Sequence, residues 1–322
     1  MDNNTAARKV KYGTFCQDHI DTVFQKDWWL DSVCGADGWD VVLFEVQEKV
    51  LGAMPYAISK KGFYTIISQP IFTQKLGPCL VYPDGINQNK LLSFEKKAFT
   101  FLIEQLPKFD LFQQNFNNHT KNWLPFYWKG FKQTTRYSYR IDNINNIDDV
   151  YDGFDRSKKK QIKKGLKEVE IRYDLSAREF YESHVQTLAQ NGKKISYSYD
   201  VFNRIYENAK QRDSGKIIAA FDQDKNLHAA LFIVWDRECA YNLISTIDVR
   251  HRNSGASTLV VYEAIKSVRN STGAFDFCGS MDVNIENSIR KFGGNQIPYF
   301  SISKNNSFVL SFLDLVKQKV RK

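Results

Sequence analysis

Long apolar runs are missing from this sequence: none approaches the ~20 residues of a membrane-spanning helix, and the longest strong one is Ala229 to Trp235. The opening residues, MDNNTAARKVKYG, also lack the apolar stretch of a signal peptide, so the expected location is the cytoplasm. Paired cysteines are absent. Cys16, Cys34, Cys79, Cys239 and Cys278 are scattered with no C-x-x-C, as suits buried thiols in a reducing compartment. His19, His119, His184, His228 and His251 are dispersed, with no H-E-x-x-H and no Cys/His cluster, so no metal is expected. A G-x-S-x-G nucleophile elbow is missing too. What is present is material for burial. The chain has 322 residues, 43% of them hydrophobic and 14% aromatic, which excludes disorder and exceeds the usual size of one core. The net charge of +9 hints at a polyanionic partner or cofactor.

One short pattern occurs twice. Gly130-Phe131-Lys132-Gln133 followed by Ser138 matches Gly293-Gly294-Asn295-Gln296 followed by Ser301, at one constant offset. Upstream of each copy lies a matched strand, Phe109-Asp110-Leu111-Phe112 against Phe275-Asp276-Phe277-Cys278. A third match pairs the hairpins Val41 to Ile58 and Ile217 to Val234, each with a polar turn between apolar strands. Three elements in the same order read as one α/β unit duplicated in tandem, residues 1–150 and 151–322, each a twisted mixed sheet flanked by helices. Between the units, Asp155 to Val169 predicts a basic amphipathic helix with Ile162, Leu166 and Val169 facing inward. Its Lys158, Lys159, Lys160, Lys163, Lys164 and Lys167 form either a solvated face or a site for a phosphate chain or nucleic acid. Pro55 is expected at a strand edge or bulge.

The segment with most chemistry runs from Ile247 to Ser257 and joins a strand to a helix that begins near Thr258. Its small residues let backbone N–H groups approach a ligand, and the helix N-terminus adds a positive dipole end. Arg252, Asn253, Ser254, Gly255, Ala256 and Ser257 are therefore the expected anion cradle, with Arg252 adding charge against a pyrophosphate.

Here the sequence resembles a family. Arg252, Gly255 and Ser257 resemble the acyl-CoA loop of GNAT acyltransferases, a basic or amide residue followed by x-x-G-x-small. "SIRKFGGNQ" is similar to the family's late Y-x-K-x-G-F element, with Ile289 where many members carry the tyrosine that protonates a leaving thiolate. "FDRSKKKQIKKGLK", "FDFCGSM", "RKFGGNQIPYF" and "NWLPFYWKGFKQTTRYSY" resemble the duplicated GNAT subgroup related to FemABX aminoacyltransferases, over roughly residues 25–304. The resemblance implies tandem GNAT-like units and transfer of an acyl group to an amine. The donor it implies is acyl-CoA or, as the alternative, aminoacyl-tRNA. A catalytically degenerate GNAT binding module is a third reading.

An aliphatic ammonium has a pKa of about 10, so a base must free the attacking amine. Asp248, at the end of the fourth strand of the second unit, and Asp276, on the next strand, are the catalytic candidates; capping and structural hydrogen bonding are their other readings. The oxyanion is expected at backbone N–H groups near Ser245 to Ile247. Acceptor recognition is expected from polar and aromatic loop residues of a cleft between the units: Gln113, Asn115, Asn117, Tyr127, Lys193, Tyr197, Ser280 and Asn284. The family's envelope-linked roles imply a glycan or peptide amine, such as an amino-sugar, as acceptor.

Overall fold

The computed structural model describes residues 3–309 and resolves the chain into two compact units. Of the described residues, one comprises 3–20, 24–136 and 298–309; the other comprises Asp21–Val23 and Tyr137–Ile297. The division therefore differs from the expected cut at residue 150. Pairing decides a strand's unit, and position along the chain does not.

The first unit begins with α1 (Asn3–His19) and α2 (Asp27–Cys34), followed by β1 (Trp39–Val46), β2 (Lys49–Lys61), β3 (Tyr64–Ser68) and the short β4 (Cys79–Leu80). Then come α3 (Gln88–Glu104), β5 (Leu111–Asn115), α4 (Leu124–Trp128) and the start of β6 (Lys132–Ile141). β1, β2 and β3 form an antiparallel meander, β5 joins β3 in parallel, and residues 301–305 of the chain pair antiparallel with β5. Alternation along β1 buries both faces. Trp39, Val41 and Leu43 pack with Tyr12 and Phe15 of α1, while Val42 and Phe44 pack with Ala98, Phe99 and Leu102 of α3. Pro55 is tolerated in β2 because it falls between the two partial partners on one side: β4 pairs as far as Ala53 and β3 begins at Ala57.

The second unit continues through α5 (Ile147–Gly153), α6 (Arg156–Glu168), β7 (Glu170–Arg172), α7 (Ala177–Gln190) and α8 (Tyr199–Gln211). It goes on through β8 (Gly215–Phe221), β9 (Leu227–Trp235), β10 (Cys239–Ile247), α9 (Ala256–Val268), β11 (Ala274–Asp276), α10 (Val283–Ile289) and β12 (Asn295–Asn305), the last of which passes into the first unit at Pro298. Its strand order is β6-β11-β10-β9-β8-β7, antiparallel except for β10 beside β11. Ala229, Leu231, Ile233 and Trp235 of β9 pack against Leu259, Val260, Ala264 and Ile265 of α9. On the opposite face Phe232 meets Phe180 of α7 and Phe202 of α8 at 6.4 and 5.4 Å between ring centroids. Burying an aromatic side chain of this kind contributes about 1.5–3 kcal/mol.

Both copies of the glycine pattern end a short helical segment and enter a strand. Gly130 (φ 78°) follows α4 and precedes β6; Gly293 (φ 75°) follows the 3-10 turn Arg290–Phe292 and precedes β12. At Gly293 a side chain is excluded outright, because a Cβ there would lie 2.3 Å from the Gly153 carbonyl oxygen. The basic helix forms as expected, with Asp155 as N-cap accepting from Ser157 N at 2.8 Å. Its inward stripe is different. Lys158, Ile162 and Gly165 are buried and Leu166 is 62% exposed, because Gly165 lets α6 approach α9 too closely for the leucine to face in. Among the described residues no helix is long and apolar enough to cross a membrane.

Candidate acyl-transfer site in the second unit

β10 and β11 run together for only three residue pairs, Cys239↔Ala274 to Tyr241↔Asp276. β11 then stops, while β10 continues to Ile247 with β9 as its partner, through a register shift between Asn242 and Ile244. Beyond Tyr241 one edge of β10 has therefore left its parallel neighbour, and its backbone groups take partners other than a strand there. α7 packs along this part of β10. Thr187 Oγ1 lies 2.6 Å from Thr246 Oγ1 and accepts from Ile247 N at 3.2 Å, so the Ile247 amide, one of the expected oxyanion donors, is already engaged.

The two aspartates serve the frame. Asp248 caps the 3-10 turn Val249–His251, accepts from Arg250 N at 2.9 Å and forms an ion pair with Arg250 at 2.6 Å. Arg250's side-chain hydrogen bonds hold its carboxyl down at about 2, too weak a base for an amine proton. Asp276 is 1% exposed and accepts from Ser138 Oγ and, at 2.7 Å, from Cys278 N. Both follow the capping and structural readings.

The group with unused capacity is one that sequence reasoning missed. His184 of α7 has a buried Nδ1 with no hydrogen-bond partner. Burial lowers its pKa below 6.5, while a hydrogen bond to the backbone of Ser245 on β10 opposes the shift. With Nδ1 unpaired, that bond falls to Nε2–H, which leaves the lone pair on Nδ1. The ring stacks on Tyr197 at 6.1 Å between centroids, and Tyr181 donates its hydroxyl proton to the Tyr197 carbonyl at 3.1 Å. Helical spacing alone marks His184 as one more residue of an amphipathic helix, so no sequence signal singled it out.

The expected anion cradle is closed. Ser254, Gly255 and Ala256 are buried, while Arg252 and Asn253 are exposed and Ser257 half-buried. α6 covers the turn: a Cβ on Gly255 (φ 83°) would lie 2.2 Å from Gln161 O and 2.9 Å from Gly165 N. Thr258 Oγ1 donates to Gln161 Oε1 at 2.5 Å, and Ser254 Oγ accepts from Ala256 N at 3.3 Å. Arg252 turns instead to Asn191 Oδ1 at 2.9 Å. The same helix reaches α10, where Lys158 Nζ donates to Ser288 Oγ at 3.1 Å beside the half-buried Ile289. α6 thus lies on both features that the family resemblance ties to CoA.

Of the expected acceptor residues, Gln113, Asn115 and Tyr127 belong to the first unit and Lys193, Tyr197, Ser280 and Asn284 to the second. Lys193 and Tyr197 lie on the α7–α8 connection, and Tyr197 is the one that stacks on His184. Ser280 and Asn284 sit at the start of α10, where Ser280 Oγ and Asp282 Oδ1 accept the amides of Asp282 and Asn284 at 3.0 and 2.9 Å. Asn115 is committed to its own loop, donating to Gln74 O at 3.4 Å and receiving Leu76 N at 2.7 Å on its carbonyl. Gln113 and Tyr127 are exposed.

Residues 154–283 match the family model described as Acetyltransferase (GNAT) domain. The matched stretch lies within the second unit. No curated protein matches the sequence. Among solved structures the chain is similar to FemX, at 12% identity and a TM-score of 0.62 over 91% of this chain and 95% of that one. It is also similar to the C-terminal DUF2156 domain of a putative lysylphosphatidylglycerol synthetase from Agrobacterium fabrum, at 10% identity and 0.55 over 98% and 96%. A tandem GNAT protein from the clavulanic acid biosynthesis pathway gives 9% identity and 0.53 over 95% of this chain and 96% of that one. At such identities the likeness is one of fold: two GNAT-like units in tandem.

Proposed function

We propose that the chain is an N-acyltransferase that moves an acyl group onto an amine where β10 leaves β11 in the second unit. The observation that carries this reading is His184, a neutral imidazole held against the free end of β10 with an unused Nδ1 lone pair. The amine nitrogen attacks the donor carbonyl, the new C–N bond replaces the C–O or C–S bond, and His184 Nδ1 takes the amine proton and passes it to the leaving group. Tyr197 and Lys193, on the neighbouring connection, are suited to an acceptor that offers a ring face and an anionic or hydroxyl group, such as an amino-sugar precursor of the cell envelope.

The closed turn favours an aminoacyl ester of tRNA over acyl-CoA as donor. The Gly255 backbone is packed against α6 and the Ala256 amide is engaged by Ser254 Oγ, which leaves less of the turn for a pyrophosphate; the exposed lysines of the same helix offer an electrostatic track for nucleic acid. The test is transfer from labelled aminoacyl-tRNA and from acyl-CoA to a panel of amino-sugar and peptide amines. N-acylated product from the charged tRNA is the expected result. Product from acyl-CoA, with a thermal stabilisation abolished by Arg252→Ala, would reverse the choice of donor. Absence of product from both donors, in folded protein, would leave the binding-module reading.

A further inference from the structure

Three residues far apart in the sequence converge at the end of the β8–β9 hairpin. Asp222 follows β8, His228 lies on β9, and His251 closes the 3-10 turn after β10. One ligand atom from each lies within 4.8 Å of the others. Asp222 Oδ2 is 3.0 Å from His228 Nε2, and the two imidazole rings stack at 3.8 Å with an interplanar angle of 15°. His228 is 4% exposed in a strand that is otherwise apolar, LHAALFIVW, and its Nδ1 has no hydrogen-bond partner.

The scaffold around the three is fixed. Asp222 Oδ1 accepts from Asn226 N at 2.8 Å, and Asn226 Nδ2 reaches Oδ1 and Oδ2 at 3.3 and 3.0 Å, which orients the carboxylate. His228 O accepts from Asp248 N, and Asp248 O accepts from His251 N, each at 3.0 Å, which sets the backbone of His251 beside that of His228 and leaves its side chain free to turn. The nearby carboxylate of Asp248 is taken by Arg250.

We infer that Asp222, His228 and His251 form a binding site for a first-row divalent transition metal, with zinc the natural occupant. Two imidazoles and one carboxylate suit borderline metals and are a poor set for magnesium or calcium, which take oxygen ligands. Three protein ligands leave a coordination position open, as in sites where the metal meets water or substrate. A shared ion needs one nitrogen from each ring to point at it. Binding therefore requires His251, the more exposed ring, to tilt out of the present stack.

The experiment is calorimetric titration of the full-length, chelator-treated protein with zinc and with cobalt(II), followed by the visible spectrum of the cobalt form. One equivalent of each metal is expected to bind, with the d–d bands of a low-coordinate nitrogen and oxygen site. His251→Asn and Asp222→Asn should each weaken zinc by at least about tenfold. Because His251 is half-exposed, its variant should keep the thermal transition of the parent, and the comparison is therefore between folded proteins. No saturable uptake, equal affinity in His251→Asn, or equal competition by magnesium would overturn the assignment.

Discussion

Gly165 of α6 rests on Gly255 at the start of α9, each lacking the side chain that would collide with the other's backbone. A Cβ on Gly165 would lie 3.2 Å from Gly255 O, and one on Gly255 2.9 Å from Gly165 N. This pair seats α6 over the turn that the sequence marks as an anion cradle.

Substitution at the two glycines should differ in severity. Gly255→Ala combines a left-handed backbone with a main-chain collision and should cost about 2–4 kcal/mol in denaturant unfolding. Gly165→Ala has a regular helical backbone and neighbours at 3.1–3.2 Å, so it should cost less than half as much. Equal losses would mean that α6 is not pinned at Gly255.

Lys158 gives a pH signature. Burial, aided by Lys291, lowers its pKa from 10.5 to about 8. The folded value lies below the unfolded one, so between pH 8 and 10.5 the unfolded chain binds the proton more strongly and stability rises with pH. Lys158→Met should remove that rise and stabilise the protein at pH 7 by about 1–3 kcal/mol. A pH–stability curve that still climbs across this window in the variant would contradict the assignment.

His184→Gln should leave the fold intact and lower the rate of transfer by about 10²–10⁴-fold. In the parent enzyme the acid limb of the rate profile should lie below pH 6.5, the direction in which burial moves this histidine. A variant that retains both the rate and the limb would assign the proton transfer elsewhere.

The basic face of α6 should report on tRNA. Lys160, Lys163, Lys164 and Lys167 are exposed, whereas Lys158 is buried and Lys159 leans on Asp152. Neutralising the four exposed lysines should reduce the log–log salt slope of tRNA binding by about 0.7–0.9 for each phosphate that the helix no longer neutralises. Stability should change by less than about 0.5 kcal/mol per site, as for surface positions generally. An unchanged slope would make this a solvated face.

The sequence by itself determined the duplicated α/β plan, because apolar alternation and helical spacing are local properties that survive in the order of residues. The glycines at 130 and 293, the hairpins β1–β2 and β8–β9, and the strand-to-helix turn at Gly255 were all legible in that way. Only the tertiary structure decided what those elements meet. It put α6 on the Gly255 turn, because Gly165 permits a helix to approach where phosphate was expected. It turned Asp248 and Asp276 into caps and frame, because their acceptor capacity is spent on Arg250, Ser138 and backbone amides. It raised His184 into the candidate site by setting α7 against the free end of β10, and it brought His228 and His251 together from positions that look dispersed along the chain. Proximity between residues distant in sequence carries no periodic signal; packing of the whole chain is what fixes it.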